Sequence, residues 1–549
     1  MADSRQPATG PGVSPAAPEP LATTLARPLD VGSNLRGLAG GGTLAYVLPT
    51  LAPDHIACLG RPAPSVLETL RRLAVDGRVS LVDGGSDPAA TGVAAGGPAD
   101  VLWIAGASGL DALADPGPAV AALLATAGVV VVDDVSEAAL PSIVARLRTS
   151  GHAPTVLATT WADGIVRTAE VRREDAAPPT RPAALRHRLT RLRTTVPRGG
   201  RGRRDGLAVL AVPGGADRPP AWLLEQLEAV DVETADRTWR LASPGVYDSQ
   251  KVLIALSAET DGDGLIAKIT RDTRHNGRLA TEAEALSTLA TIGPIEHLAI
   301  PRIVASGPVG PLFVVVETMI DGQPLPGVLR RAGGGPSVAR AVDGLISLAV
   351  VTARPVAGTA LAAAFATLME RYVALHQPPT DARRALERSL DSIAAAGTIP
   401  VVAQHGDPGT WNMLAMPDGR VGVLDWEAFE PAGPPLWDLW HLLRSVLLDV
   451  RRSSLPRRRS SILGAAFLTG GDGSDLVADA TARYRRAIDL DPGLVVPLFA
   501  FGWLHRALKE STRSRPADVG AGHYARLMAS VIADLDAPGL RRLSERDRA

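Results

Sequence analysis

Short apolar runs alternating with amphipathic stretches fill residues 33–172. His55 to Gly60 reads as a strand, Pro64 to Val75 as a helix, and Arg78 to Asp83, Asp100 to Ala105 and Gly128 to Asp133 as further strands. Strand and helix in alternation predict a parallel, doubly wound α/β sheet. From about residue 236 the pattern changes. Trp239 to Ala242, Lys251 to Leu256 and Leu265 to Thr270 predict antiparallel strands, Thr281 to Ala290 a helix, and Leu312 to Glu317 one more strand. Beyond 335 the spacing is helical, with one interruption from Val401 to Phe429. The outline is a small strand-rich lobe followed by a larger helical lobe, an α+β arrangement without internal repeats.

The segments between these patterns set the boundaries. Residues 1–32 are rich in Ala, Pro, Ser and Thr without periodicity, which predicts a disordered tail. Residues 173–205 form an Arg- and Pro-rich linker: 11 arginines lie between Arg172 and Arg204 with only Glu174 and Asp175 as acids. Such a stretch is either an arm for phosphate, nucleic acid or acidic lipid, or a solvated connection, and the lack of interleaved aromatics favours the second. The expected organisation is multidomain: tail 1–32, doubly wound domain 33–172, linker 173–205, strand-rich lobe with a leading extension 206–330, and helical lobe 331–549.

Composition narrows the classes. With 549 residues, 46% hydrophobic and 21% charged, the chain is globular and too long for one core. A formal charge of -1 from 57 basic and 58 acidic residues gives no global reason to expect a nucleic-acid partner. The longest apolar run, Ala119 to Val132, has 14 residues, short of the roughly 20 that cross a bilayer, so no transmembrane segment is expected. The start of the chain has no basic-then-apolar pattern and Cys58 is the sole cysteine, which together predict a cytoplasmic protein.

Only three basic residues are lysine: Lys251, Lys268 and Lys509. Where arginine has taken over nearly everywhere, a remaining lysine hints that a compact point charge is wanted. Lys268 interrupts an apolar strand, where it either guards a sheet edge or meets a buried acid. The next helix favours the acid. Spacings of four and seven put Glu282 on the face of Leu286 and Leu289, and a carboxylate on a packed face wants a cation.

The densest chemistry lies between Val401 and Glu427, in His405-Gly-Asp407-Pro-Gly-Thr-Trp-Asn412 and Leu424-Asp-Trp-Glu427. Asp418-Gly419 between two apolar runs predicts a two-residue hairpin that sets Asn412 opposite Asp425. Facing Cβ atoms about 4.5–5.5 Å apart let an amide oxygen and a carboxylate share a hard cation such as Mg²⁺. A three-residue turn would shift that register by one. Asp407, five residues before Asn412 in a Pro- and Gly-containing loop, stands beside the pair, where its carboxylate can accept a proton from an attacking hydroxyl.

These residues resemble the aminoglycoside phosphotransferase and choline kinase family, a branch of the protein-kinase-like fold. His405-Gly-Asp, four residues and Asn412 are similar to its catalytic loop, and Asp425 after a short apolar strand to its metal-binding Asp. Leu424 to Glu427, Gly433 and Trp437-Asp438-Leu439 continue the likeness. The resemblance implies a bilobal kinase-like domain using ATP and Mg²⁺, with Asp407 as catalytic base, Asn412 and Asp425 as metal ligands, and His405 and Asp438 bracing the loop. It also implies that Lys268 and Glu282 hold the α and β phosphates and that Ser243-Pro-Gly245 takes the place of the phosphate-covering loop. Phe313 to Met319 would then be the interlobe hinge, whose backbone at Glu317 and Met319 bonds the adenine edge.

The N-terminal strands resemble, in fold only, a Rossmann-like sheet of class I S-adenosylmethionine methyltransferases. That likeness implies a cofactor site at Gly60 and Asp83, although Leu59-Gly60-Arg61-Pro62 keeps one glycine of the usual Gly-rich turn. A sheet kept for packing or partner binding is the alternative.

Residues 431–549, the acceptor side in the family, carry 18 basic and 13 acidic residues, with Arg451, Arg452, Arg457, Arg458 and Arg459 clustered. Such a surface suits a neutral or anionic acceptor better than a polycation. The sequence thus points to an ATP- and Mg²⁺-dependent O-phosphotransferase acting on a small molecule, sugar or glycan end. Its alternatives are a methyltransferase with a regulatory kinase-like half, or a non-catalytic nucleotide-binding scaffold.

Overall fold

The computed structural model describes residues 43–74, 77–82, 99–162, 165–172, 204–213, 215, 217–234, 237–242, 251–258, 264–332, 335–451, 456–511 and 519–545. The tail 1–32, most of the linker, Asp83, the loop at Ser243-Pro-Gly245 and Arg452 lie outside them.

Strands β1 (His55–Gly60), β2 (Arg78–Val82), β3 (Val101–Ala105) and β4 (Val129–Val135) pair in parallel, in the order β2-β1-β3-β4. Every residue of β1 and β3 is buried, because helices cover both faces. Helices Gly106–Ala114, Pro118–Thr126 and Leu140–Thr149 enclose one core with Leu59, Leu102, Ile104 and Leu147. Helix Pro64–Leu73 covers the opposite face, where Leu70 joins Ile56, Cys58 and Trp103.

The sheet does not end there. β5 (Pro154–Ala162), β6 (Ile165–Val171) and β7 (Arg204–Ala211) extend it antiparallel, with β7 between β4 and β5. β8 (Arg237–Ala242), β9 (Val252–Ala258) and β10 (Leu265–Ile269) follow, and β8 pairs with β6 through Thr168↔Ala242, Ala169↔Leu241 and Glu170↔Arg240. Next, β11 (Leu298–Ala299) leaves for a small second sheet, whereas β12 (Ile303–Val309) and β13 (Leu312–Thr318) return. The result is one twelve-stranded sheet, ordered β12-β13-β10-β9-β8-β6-β5-β7-β4-β3-β1-β2. On one face a single apolar core runs from Ile56 and Trp103 through Trp222 and Trp239 to Ile254 and Val314.

On the other face, at the β10 end, helix Asn276–Ile292 packs Leu279 and Ala283 against Val315. Strand alternation turns Lys268 and Glu317 to that same face, since Ile266 pairs with Glu317 and Lys268 with Val315. A larger lobe follows, built on helices such as Gly358–His376, Trp437–Val450 and Val495–Ser511 around Phe365, Trp426, Trp440 and Phe499. Helix Gly335–Thr352 has a mean hydropathy of 1.2 over 18 residues, enough by length and composition to cross a membrane. Its Ala341, Val342, Leu345 and Leu348 are nonetheless buried in the core of this lobe.

Candidate active site

Lys268 and Glu282 meet. The Lys268 Nζ lies 2.6 Å from Glu282 Oε1 and 2.8 Å from Glu317 Oε1, and Glu282 is fully buried. Glu282 also accepts the Trp426 N–H at 3.2 Å, which ties the strand-rich lobe to the residue after Asp425. A second lysine completes the cluster. Lys251 Nζ lies 3.2 Å from Glu282 Oε2 and 3.1 Å from Glu427 Oε2, and it pairs with Asp425 Oδ1.

Two ammoniums, with the Arg278 guanidinium 3.9 Å from Glu427 Oε1, therefore face four carboxyls. Burial works against charge on Glu282, but Lys251 and Lys268 overcome it and hold its carboxyl at about 2. Glu317 is pushed up to about 7, chiefly by burial, with Lys268 opposing. Burial also raises Glu427, despite Lys251. The cluster thus holds one carboxyl more than its three cations.

The His405 loop is fixed from several sides. Asp438 accepts the His405 N–H at 2.6 Å and the Gly406 N–H at 3.2 Å, and His405 Nε2 reaches Leu424 C=O at 2.8 Å. The Asp407 N–H points at His405 Nδ1, 3.2 Å away, so the ring carries its proton on Nε2. Gly406 has φ +77°, and a Cβ there would lie 2.0 Å from Ala428 O, so only glycine fits.

This frame places Asp407 with its side chain 37% exposed, 3.1 Å from His441 Nε2 and 3.6 Å from Arg506 Nη1. Burial opposes its charge, but His441, Lys509 and Arg506 outweigh that and hold the carboxyl well below the usual carboxylate range. Burial and Arg506 in turn press His441 down to about 3, so its ring stands beside Asp407 without charge. Asn412 donates its Nδ2 to Asp407 C=O at 3.0 Å, which fixes the amide with Oδ1 as its remaining polar atom.

The hairpin register corrects the sequence reading. Met413 pairs with Val423, Met416 N–H donates to Arg420 C=O, and Leu424 N–H donates to Asn412 C=O. Asn412 is thus opposite Leu424, and Asp425 lies one residue further on. Pro417 is the cause: its ring presets φ for the second turn position, and Gly419 at φ +85° closes a three-residue loop. Asp425 adopts φ +70°, a kink at the strand end that brings its carboxylate to Lys251.

Two expected contacts read differently in the structure. The Met319 N–H is taken by Gly264 C=O at 2.7 Å, so that donor is not available to an adenine edge. Glu317 enters the site through its carboxylate on Lys268, while its backbone lies in the β10–β13 ladder. In the other half, Gly60 ends β1 at φ +85°, and a Cβ there would lie 2.4 Å from Ala105 O, which accounts for the glycine by packing. Sequence reasoning missed Lys251, His441 and Arg506 as site residues. Lysine scarcity was the only signal for the first, and the other two had none.

Residues 238–485 match the family model described as APH, phosphotransferase enzyme family. Among curated proteins none matches. A thermostable mutant of aminoglycoside phosphotransferase APH(4)-Ia in its apo form shares 14% identity and a TM-score of 0.34, covering 58% of this chain and 99% of that one. Aminoglycoside-3'-phosphotransferase of type VIII shares 20% identity and a TM-score of 0.32, with 52% and 98% covered. APH(3'')-Id from Streptomyces rimosus, solved with ADP and streptomycin, shares 17% identity and a TM-score of 0.31, with 53% and 98% covered. The match to the phosphotransferase enzyme family is confined to residues 238–485, and that segment marks the chain as a phosphotransferase acting on hydroxyl groups.

Proposed function

We propose that the chain is an ATP- and Mg²⁺-dependent O-phosphotransferase for a hydroxyl of a small molecule, sugar or glycan end. One observation carries the reading: Glu282 joins Lys268 of the strand-rich lobe to the Trp426 N–H of the helical lobe, and Lys251 joins that same carboxylate to Asp425. Phosphate-binding and metal-binding candidates thus share one cluster.

The donor set fits a hard cation. Asn412 and Asp425 supply oxygen, and the acid excess leaves charge for a divalent ion to neutralise. When bound, Mg²⁺ held by Asn412 and Asp425 would supply positive charge to offset that of the phosphates. The chain does the rest. Lys268, held by Glu282 and Glu317, presents its ammonium to the phosphates, and Asp407 orients the acceptor hydroxyl and takes its proton. Arg506 donates to Gly406 C=O at 2.9 Å and so holds the loop while flanking Asp407.

In the same reading strands β1 to β4 form a Rossmann-like unit whose strand order reverses between β1 and β3. ADP release by the full chain, screened against pooled hydroxylated metabolites, tests the activity. Release that requires Mg²⁺ and disappears in Asp407→Ala is expected, whereas equal turnover in both proteins rejects Asp407 as the base.

A further inference from the structure

Beside Asp407 opens a cavity of about 650 Å³ whose lining includes Arg444, Arg459, Arg506, Lys509 and Tyr524. It is the acceptor side of the proposed reaction, because Asp407 forms part of its wall. Three acids also line it, and each is committed. Asp407 faces His441 and Arg506. Asp449 accepts the Thr410 hydroxyl at 2.6 Å and lies 3.5 Å from Arg330. Glu510 caps helix His523–Ala533 by accepting the His523, Tyr524 and Ala525 N–H groups, and it lies 3.0 Å from His523 Nδ1.

Arg444 is the exception to this balance. It is 5% exposed, and its Nε has no hydrogen-bond partner. Its remaining contacts are uncharged: Nη2 faces His523 Nε2 at 2.5 Å, and the guanidinium stacks 4.5 Å over the Tyr524 ring. Among the described residues no carboxylate lies within ion-pair distance of it. Burial, with Arg506 and Arg459 nearby, makes its charge harder to hold. An uncompensated buried cation is costly, and a guanidinium fork is shaped for an oxyanion.

We propose that Arg444, with Arg459 and Lys509 beside it, receives the anionic group of an acceptor that is a phosphorylated or carboxylated alcohol, whose hydroxyl then meets Asp407. The substrate class is therefore anionic, in contrast to the aminoglycosides of the solved proteins it resembles. The proposal rests on the phosphotransferase reading, so the experiment separates the two.

First, binding of Mg²⁺ and AMP-PNP to the full chain is measured by calorimetry; its absence overturns the phosphotransferase reading itself. Inorganic phosphate is then titrated into the nucleotide-saturated protein. Phosphate binding that weakens at least tenfold in Arg444→Met, and less in Arg444→Lys, is expected. Equal phosphate affinity in wild type and Arg444→Met, or no binding to wild type, overturns the proposal while leaving the nucleotide reading intact. Arg459→Gln provides the same comparison from the cavity wall should Arg444→Met fail to fold. In the ADP-release assay, kcat/KM should favour phosphorylated or carboxylated alcohols at least tenfold over the same alcohols without the anionic group. Equal or better turnover of neutral polyols or of aminocyclitols sinks it.

Discussion

The two sides of the cleft treat buried charge in opposite ways. On the proposed nucleotide side two lysines and Arg278 stand among Glu282, Glu317, Asp425 and Glu427, and acid is in excess by one. On the proposed acceptor side the acids of the cavity are engaged, and the buried Arg444 has no carboxylate within ion-pair distance among the described residues. An imbalance inside a protein is costly unless something arrives to offset it. In the proposed reading the acid-rich side takes a metal ion and the other side an anion. The same principle thus distinguishes two ligands that the shared fold does not.

The comparison breaks most visibly at the residue between the sides. Asp407→Ala should lower phosphoryl transfer by on the order of 10³-fold while leaving Mg-ATP affinity nearly unchanged, read as a loss in kcat without a matching rise in nucleotide KM. Because its neighbours hold Asp407 below the usual carboxylate range, the acid limb of the pH profile should begin below about pH 4. Lys268→Met removes one of the two lysines and leaves Glu282 and Glu317 under-compensated; urea unfolding should show a loss of roughly 3 kcal/mol.

Asp425→Asn acts on the acid excess itself. It should weaken the Mg²⁺ dependence of ATP binding by roughly tenfold, read by calorimetry across a Mg²⁺ series, with little effect on folding. Glu317→Gln makes its difference as a slope with pH. The folded carboxyl sits at about 7 against an ordinary 4.5, so its contribution is complete below 4.5 and fades as pH rises towards 7. Wild type should therefore lose stability relative to Glu317→Gln between pH 4.5 and 7. Parallel stability curves would assign the proton elsewhere.

What the sequence made legible was local. Helical spacing put Glu282 on the packed face, and the structure sets it against Lys268 as a periodicity of 3.6 requires. The hairpin at Asp418-Gly419 was legible too, but its register turned on whether Pro417 belonged to the strand or to the loop, and the letters Asp-Gly do not decide that. Lys251 was out of reach for another reason. Its partners Glu282, Asp425 and Glu427 come from a helix and a distant strand end, and such a meeting has no signature along the chain. Nor does the pairing of β6 with β8, since backbone amides carry no side-chain record of which edge they join.

That last pairing bears on how the protein can be divided. Cutting the chain ahead of β8 would strip Arg240, Leu241 and Ala242 of their neighbours on β6 and bare a row of main-chain donors and acceptors. Trp239, which shares its apolar layer with Trp222 and Trp103, would be left half-wrapped. The phosphotransferase half made alone would be a sticky fragment, inclined to recruit strands from its own copies, and the N-terminal half serves it as a built-in lid for that margin.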